Sequence, residues 1–246
     1  MVAMSSVVES SKQPSARVLA LAVLLVSAAA IVGGSMPHGG WLWLHWLAKP
    51  LATVLILVTA LWGGRAISPR YRRRIAAGMV FSLIGDVLLM LPQNLFVAGL
   101  VAFLVGHLCF IAAFVDDSRF AVRPLALLAC VLVGAVNLAL LWSSIPVALH
   151  PAVALYGLVL SCMGGQALAR AWFHAKAGDP LALPARRAAI GGLLFMLSDS
   201  LLAWNRFDAP LPLSALWILG SYYAALWFIA RSVAHDTHST KAGPLS

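Results

Sequence analysis

Charge is what this chain has least of. Only 10% of its 246 residues are Asp, Glu, Lys or Arg, against about 25% in an ordinary soluble domain. Cysteine is scarce as well, at 3 residues. Cys109, Cys130 and Cys162 all fall within apolar stretches, so a disulfide framework is not expected. The chain has no Gly-Xaa-Ser-Xaa-Gly, His-Glu-Xaa-Xaa-His or Cys-Xaa-Xaa-Cys sequence. These absences speak against a serine-hydrolase elbow, a zincin helix and a dithiol centre. The histidines do not converge either. His38, His45 and His150 lie near one set of helix ends, and His174, His235 and His238 near the other. A three-histidine zinc centre would need them together, so no metal and no other cofactor is expected.

Apolar sequence is what the chain has most of: 62% of residues are hydrophobic and the mean hydropathy is +0.92. The fold class this implies is all-α, a polytopic transmembrane bundle of spans of about 20 residues each. Eight spans are read, at 18–36, 41–64, 75–92, 95–115, 124–142, 150–174, 187–205 and 211–234. Gly and Pro punctuate the gaps, as in Gly63-Gly64, Arg123-Pro124 and Pro210 with Pro212. The spans form one domain, 18–234, between a short segment 1–17 and a polar tail 235–246. Arg17 and the run from Ser27 loosely mimic a signal peptide. The apolar stretch continues to Val32, so a retained first helix is expected.

The net charge of +9 does not point to nucleic acid, because the cations sit in the gaps between spans. Lys12, Arg17, Arg65, Arg70, Arg72, Arg73, Arg74, Arg119, Arg123, Arg170, Lys176, Arg186, Arg187, Arg231 and Lys241 all fall on one side. Only Arg206 lies in the opposite loops. By the positive-inside rule both termini are cytoplasmic, in the inner membrane of a bacterium.

Two aspartates interrupt the apolar spans in nearly the same words. Gly78-Met-Val-Phe-Ser-Leu-Ile-Gly-Asp86-Val-Leu-Leu is echoed by Gly191-Gly-Leu-Leu-Phe-Met-Leu-Ser-Asp199-Ser-Leu-Leu. A carboxylate at the centre of a membrane helix costs roughly 2.5–3.5 kcal/mol even on lenient scales. Incurring that cost twice in matched settings points to function rather than packing. The aspartates fall in the third and seventh spans, which suggests a parallel four-plus-four duplication.

Depth gathers further candidates. At 1.5 Å per residue, Asp86 and Asp199 lie roughly 9 Å from the outer ends of their helices, and Lys49 about 12 Å. His107, Tyr222 and Tyr223 sit near the midplane. The agreement in depth predicts one internal polar pocket, opening away from the cytoplasm or sideways. Lys49 precedes Pro50, whose ring frees a carbonyl; the lysine is read as a counter-ion or substrate contact. His107 is read as a supporting group. For Tyr222, Tyr223 and Tyr156, core filling with an anchored hydroxyl competes with a site role, and Tyr222 and Tyr223 are carried forward. Ser82, Ser198, Asn94 and Asn205 are supporting hydrogen-bond candidates. Trp41, Trp43 and Trp46 suit an interfacial belt.

Lys49-Pro50, Phe81-Ser82-Leu-Ile-Gly85-Asp86, the run from Phe96 to Gly106-His107, and Phe195-Met-Leu-Ser198-Asp199 follow in this order. Together they resemble the YhhN-type lysoplasmalogenase family of eight-span membrane proteins. The resemblance covers the second to eighth spans. It implies hydrolysis of the vinyl ether bond of lysoplasmalogens to a fatty aldehyde and glycerophospho-ethanolamine or glycerophospho-choline. The family's acidic pair would map onto Asp86 and Asp199, and its lysine and histidine onto Lys49 and His107. This chain departs from common members at Phe110, often Tyr, and at Leu226, often Gln.

Vinyl ether cleavage requires an acid for the β-carbon and an anion for the resulting oxocarbenium ion. Paired carboxyl groups supply both, as in glycosidases. The expected partner is therefore a lysophospholipid within the bilayer, among other membrane lipids; the sequence does not specify an oligomeric state. A proton-coupled transporter of small solutes or lipids is the rival reading of the same carboxylates.

Overall fold

The computed structural model describes residues 16–36, 40–93 and 95–235. Lys12, His38, Asn94 and the tail from Asp236, with His238 and Lys241, lie outside the described residues. Those residues form eight α-helices: α1 (Ala16–Ser35), α2 (Leu42–Trp62), α3 (Pro69–Met90), α4 (Phe96–Phe114), α5 (Pro124–Leu141), α6 (His150–Phe173), α7 (Ala182–Phe207) and α8 (Ser214–Arg231). Each expected span corresponds to one helix, and the all-helical class holds. Six of these helices are long and apolar enough to cross a membrane. The other two are α3, which carries four arginines and Asp86, and α8, which carries the paired tyrosines.

Helix starts differ from the sequence expectation where local chemistry extends or delays a helix. α3 begins at Pro69 rather than near residue 75. The Ser68 hydroxyl accepts from the Tyr71 amide at 3.0 Å, and Pro69 occupies the first helical position, a cap and a proline placed where both suit a start. The arginine run therefore forms the first turns of α3 instead of a loop. α7 starts at Ala182, with Pro184 in its first turn, where a missing N–H breaks no bond. α8 is delayed to Ser214 by Pro212 and by Leu213, whose φ of 53° is left-handed.

Neighbours in sequence pack as hairpins: α1 with α2, α3 with α4, α5 with α6, and α7 with α8. α4 also packs on α6, and α8 on α2 and α1. Bare backbone allows α3 and α4 to approach. A Cβ on Gly85 would meet the Phe103 ring at 2.5 Å, and one on Gly78 would strike Phe110. Two phenyl rings of α4, seven residues apart, thus fill the space left by two glycines of α3, also seven apart. This is the close packing that small residues permit in membranes.

The end of the bundle carrying Arg70–Arg74 is tied by buried polar bonds. Arg170, counted among the cations of this side, is 0% exposed. Its Nε and Nη2 donate to the two oxygens of Asp117 at 2.7 and 2.6 Å, and Nη1 donates to the Tyr71 hydroxyl at 3.3 Å. Such a fork on a carboxylate satisfies a charge that could not otherwise be buried. Arg74 pairs with Asp116 at 2.9 Å beside it. His235, expected to open a free tail, donates its backbone N–H to the Arg65 carbonyl at 3.1 Å.

Candidate active site

Asp86 lies on the face of α3 turned towards α2 and α8 and is 1% exposed. Thr53 Oγ1 and Tyr222 Oη each donate to its Oδ2 at 2.7 Å. Lys49 Nζ stands 3.5 Å from its Oδ1. Lys49 and Thr53 are four residues apart on α2 and so share a helix face, which is why one helix supplies both a cation and a hydroxyl. Groups able to donate thus face both of its oxygens.

Asp199 lies on α7 and faces α6 and α4. The Tyr156 hydroxyl donates to its Oδ2. His107 Nε2 lies 3.0 Å from the Tyr156 oxygen and 3.8 Å from Asp199 Oδ2. A tyrosine has one hydroxyl proton, and here it points at Asp199. His107 Nε2 must therefore carry the hydrogen that closes the chain from His107 through Tyr156 to Asp199. Its other nitrogen, Nδ1, is buried without a hydrogen-bond partner among the described residues.

Phe195 separates the two sets. Its ring meets His107 edge-on at 4.7 Å and Tyr222 at 5.4 Å, and Phe103 closes the cluster at 6.2 Å. Phe110, one of the two departures from the family pattern, packs against His107 and Phe195 in the same cluster. Leu226, the other, is fully buried on α8.

Both aspartates line one cavity of about 530 Å³, a size that suits a small amphiphile. Lys49, Tyr156, Ser198 and Tyr222 share its wall, with Asn137, Ser200 and Arg206. The remaining wall is mostly apolar, from Phe96 and Phe207 at one end to Ala129, Cys130 and Leu160 at the other. Asn137 closes the side between α5 and α7, donating to Ser200 Oγ at 2.9 Å and accepting from Trp204 Nε1 at 2.8 Å.

Of the residues expected from the sequence, Asp86, Asp199, Lys49 and Tyr222 come together, with Ser198 at the wall. His107 reaches Asp199 through Tyr156 but is 0% exposed and does not line the cavity. Tyr223 is buried beside Tyr222, and its hydroxyl has no partner among the described residues. Ser82 donates to the Gly78 carbonyl of its own helix at 3.0 Å. Ser198 donates to the Ile218 carbonyl at 2.9 Å. Asn205 accepts from the Leu211 amide at 2.9 Å and closes the loop between α7 and α8. The sequence reading did not single out Thr53, Asn137 or Arg206, and it set Tyr156 aside. Spacing alone could have flagged two of them. Thr53 follows Lys49 by one helical turn, and Arg206 follows Asp199 by two.

The YhhN family's sequence profile matches residues 44–233. The chain is 34% identical to human "Lysoplasmalogenase TMEM86B", over 80% of this chain and 78% of that protein. It is 31% identical to bovine "Lysoplasmalogenase TMEM86A", over 82% of each. It is also 29% identical to "Uncharacterized membrane protein YhhN" of Escherichia coli O157:H7, over 80% of this chain and 90% of that one. No solved structure matches the chain.

Proposed function

Because the chain belongs to the YhhN family, we propose that it is an intramembrane lysoplasmalogenase whose two aspartates carry out the hydrolysis. The observation that carries this reading is a single apolar cavity lined by Asp86 on α3 and Asp199 on α7, in a chain similar over most of its length to proteins named lysoplasmalogenase.

In this reading Asp199 is the acid and Asp86 the anion. Asp86 accepts two hydroxyl donors and faces Lys49, and these contacts favour it for the anion's part. Asp199 uses Oδ2 for Tyr156 and presents Oδ1 to the substrate. The Asp199 proton moves to the β-carbon of the vinyl ether, and an oxocarbenium ion forms beside the Asp86 carboxylate. Water adds to that cation and gives its proton to Asp86, leaving a hemiacetal. Asp86 then protonates the departing glycerol oxygen while Asp199 takes the hemiacetal hydroxyl proton. The carbon–oxygen bond breaks, releasing aldehyde and alcohol, and both carboxyl groups regain their starting states. This is two-carboxyl acid–base catalysis of the glycosidase kind.

The eight-span topology with both termini cytoplasmic, in a bacterial inner membrane, belongs to the same proposal. The basic ends of α3 and α7, with Arg119 and Arg123, share one side, and Arg206 lies on the other. The four-plus-four duplication gains support from partner pairing. Asp86 on α3 takes its donors from α2 and α8, and Asp199 on α7 is bonded by α6, with α4 behind it. Counting four helices on from α2 gives α6, and four back from α8 gives α4.

The test is release of fatty aldehyde from a lysoplasmalogen by detergent-purified protein, run beside Asp86→Asn and Asp199→Asn. Aldehyde from the wild type alone supports the reading; its absence from the wild type removes it.

A further inference from the structure

We propose that Arg206 and Phe96 form the seat for the phosphate of the substrate headgroup, so that the lipid lies along α7. The polar head then sits at the Arg206 end and the chain runs towards Cys130. The proposal rests on the lysoplasmalogenase reading for the identity of the lipid.

Two cations line the cavity, Lys49 and Arg206. Lys49 is engaged with Asp86 at 3.5 Å, and a phosphate there would displace the partner on which the anion role depends. His107 does not line the cavity. Arg206 stands further along α7. It follows Asp199 by seven residues, which returns it to the same face of α7 about 10 Å further along the axis. Its guanidinium carbon lies 4.0 Å over the Phe96 ring, and Phe207 meets Phe96 edge-on at 5.7 Å. Both rings belong to the cavity wall. Stacking uses the face of the guanidinium, while its donors lie in the plane, the geometry that grips a phosphate. Arginine held this way loses little further freedom on binding.

The spacing matches the ligand. In a lysoplasmalogen six bonds separate the vinyl ether carbon from phosphorus, about 7 Å when extended. With the vinyl ether at Asp199, the phosphorus falls most of the way to the Arg206 turn, and the arginine side chain spans the remainder. The opposite direction is apolar. Asn137 bonds Ser200 and so fixes which part of α5 stands level with Asp199. Cys130 lies seven residues, about 10 Å, nearer the basic end, and Leu160 and Leu193 line the same reach. A phosphate headed that way would meet no cavity-lining cation.

The experiment measures binding, not turnover. Its probes are the saturated alkyl-ether analogue of the lysophospholipid, which has no vinyl bond to cleave, and the matching alkyl glycerol without phosphate. Each is titrated into detergent-purified wild type, Arg206→Gln and Arg206→Lys. The phosphate lipid should bind Arg206→Gln at least about tenfold more weakly than wild type, with Arg206→Lys in between. The alkyl glycerol should bind all three alike, which also shows that the variants are folded. An equal loss for both ligands, no loss for the phosphate lipid, or no binding of that lipid to wild type would each overturn the proposal. Aldehyde release by wild type, measured on the same preparations, reports separately on the hydrolase reading.

Discussion

Asp86 and Asp199 face one cavity, yet each is held by its own partners, and no hydrogen bond joins the two carboxyl groups. Thr53, Tyr222 and Lys49 surround Asp86; Tyr156, backed by His107, holds Asp199. Unlike a pair sharing one proton, these two carboxyls sit in different settings, and the proposed division of roles rests on that difference.

In the proposed mechanism, Asp199→Asn removes the acid while keeping the side chain's shape. Aldehyde release should fall by about 10²–10⁴-fold, the usual worth of a positioned proton donor. Asp86→Asn should fall at least as far, because Lys49 then stands in the cavity without its counter-charge. Both proteins should elute from size exclusion as wild type does. Turnover near the wild-type rate in either variant would end the assignment.

Tyr156→Phe separates positioning from acid chemistry. It deletes the hydrogen bond to Asp199 and leaves the Nε2–H of buried His107 without its acceptor. The kcat should drop about tenfold, less than for Asp199→Asn, while KM changes little. If His107 acts through the tyrosine, Tyr156→Phe with His107→Gln should cost little more than Tyr156→Phe alone. Additive losses in that cycle would separate the two residues.

How much of this was legible in the sequence follows from cost. A carboxylate in an apolar span is expensive, so Asp86 and Asp199 stood out, and the spans around them were readable from hydropathy. Tyr156 was not, because a tyrosine in such a helix costs little and its direction depends on tertiary packing. The burial of Arg170 is hidden for the opposite reason. The arginine lies one turn from a loop, and only the fold reveals Asp117, from the α4–α5 connection, arriving to bury it. The start of α3 is set by the Ser68-Pro69 cap, which the arginine run directly after it obscures.

Arg170 therefore carries a stability prediction. Arg170→Leu leaves Asp117 without its fork and removes a donor from the Tyr71 hydroxyl. Breaking a buried pair by removing one partner costs about 3–5 kcal/mol. The melting temperature in detergent should fall clearly, whereas Arg186→Leu, which removes a cation from the exposed surface of α7, should leave it nearly unchanged. Equal shifts would mean the buried fork contributes no more than surface charge.

At the same end of the bundle, the connection between α6 and α7 gives a pH dependence. Hydrogen bonds from the His174 ring at 2.8 Å and then from the Leu181 amide hold the Asp179 carboxyl below its ordinary value. A carboxyl lowered by folding stabilises the native state in full where both states are ionised. That stability declines once the unfolded chain starts to take up protons, and it is gone below the folded value. The melting-temperature gap between wild type and Asp179→Asn should thus be constant near neutrality and close as pH falls below about 4. A gap that persists in acid would assign the difference to geometry rather than charge.

Chain direction can be tested without touching either aspartate. If the alkenyl chain runs towards the basic end, it passes Cys130, a small buried side chain of α5 at the cavity wall. Cys130→Phe adds a ring to that wall and shortens the apolar reach beyond Asp199. Long-chain lysoplasmalogens should then lose turnover several-fold, while a short-chain homologue that ends before residue 130 keeps it. The ratio of kcat/KM for the two chain lengths is the measurement, and it cancels any general loss of active protein. If the lipid lay the other way, with its head at Cys130, the ring would crowd the headgroup and both chain lengths would suffer equally. A ratio unchanged from wild type would therefore reverse the orientation, and with it the placing of the phosphate at Arg206.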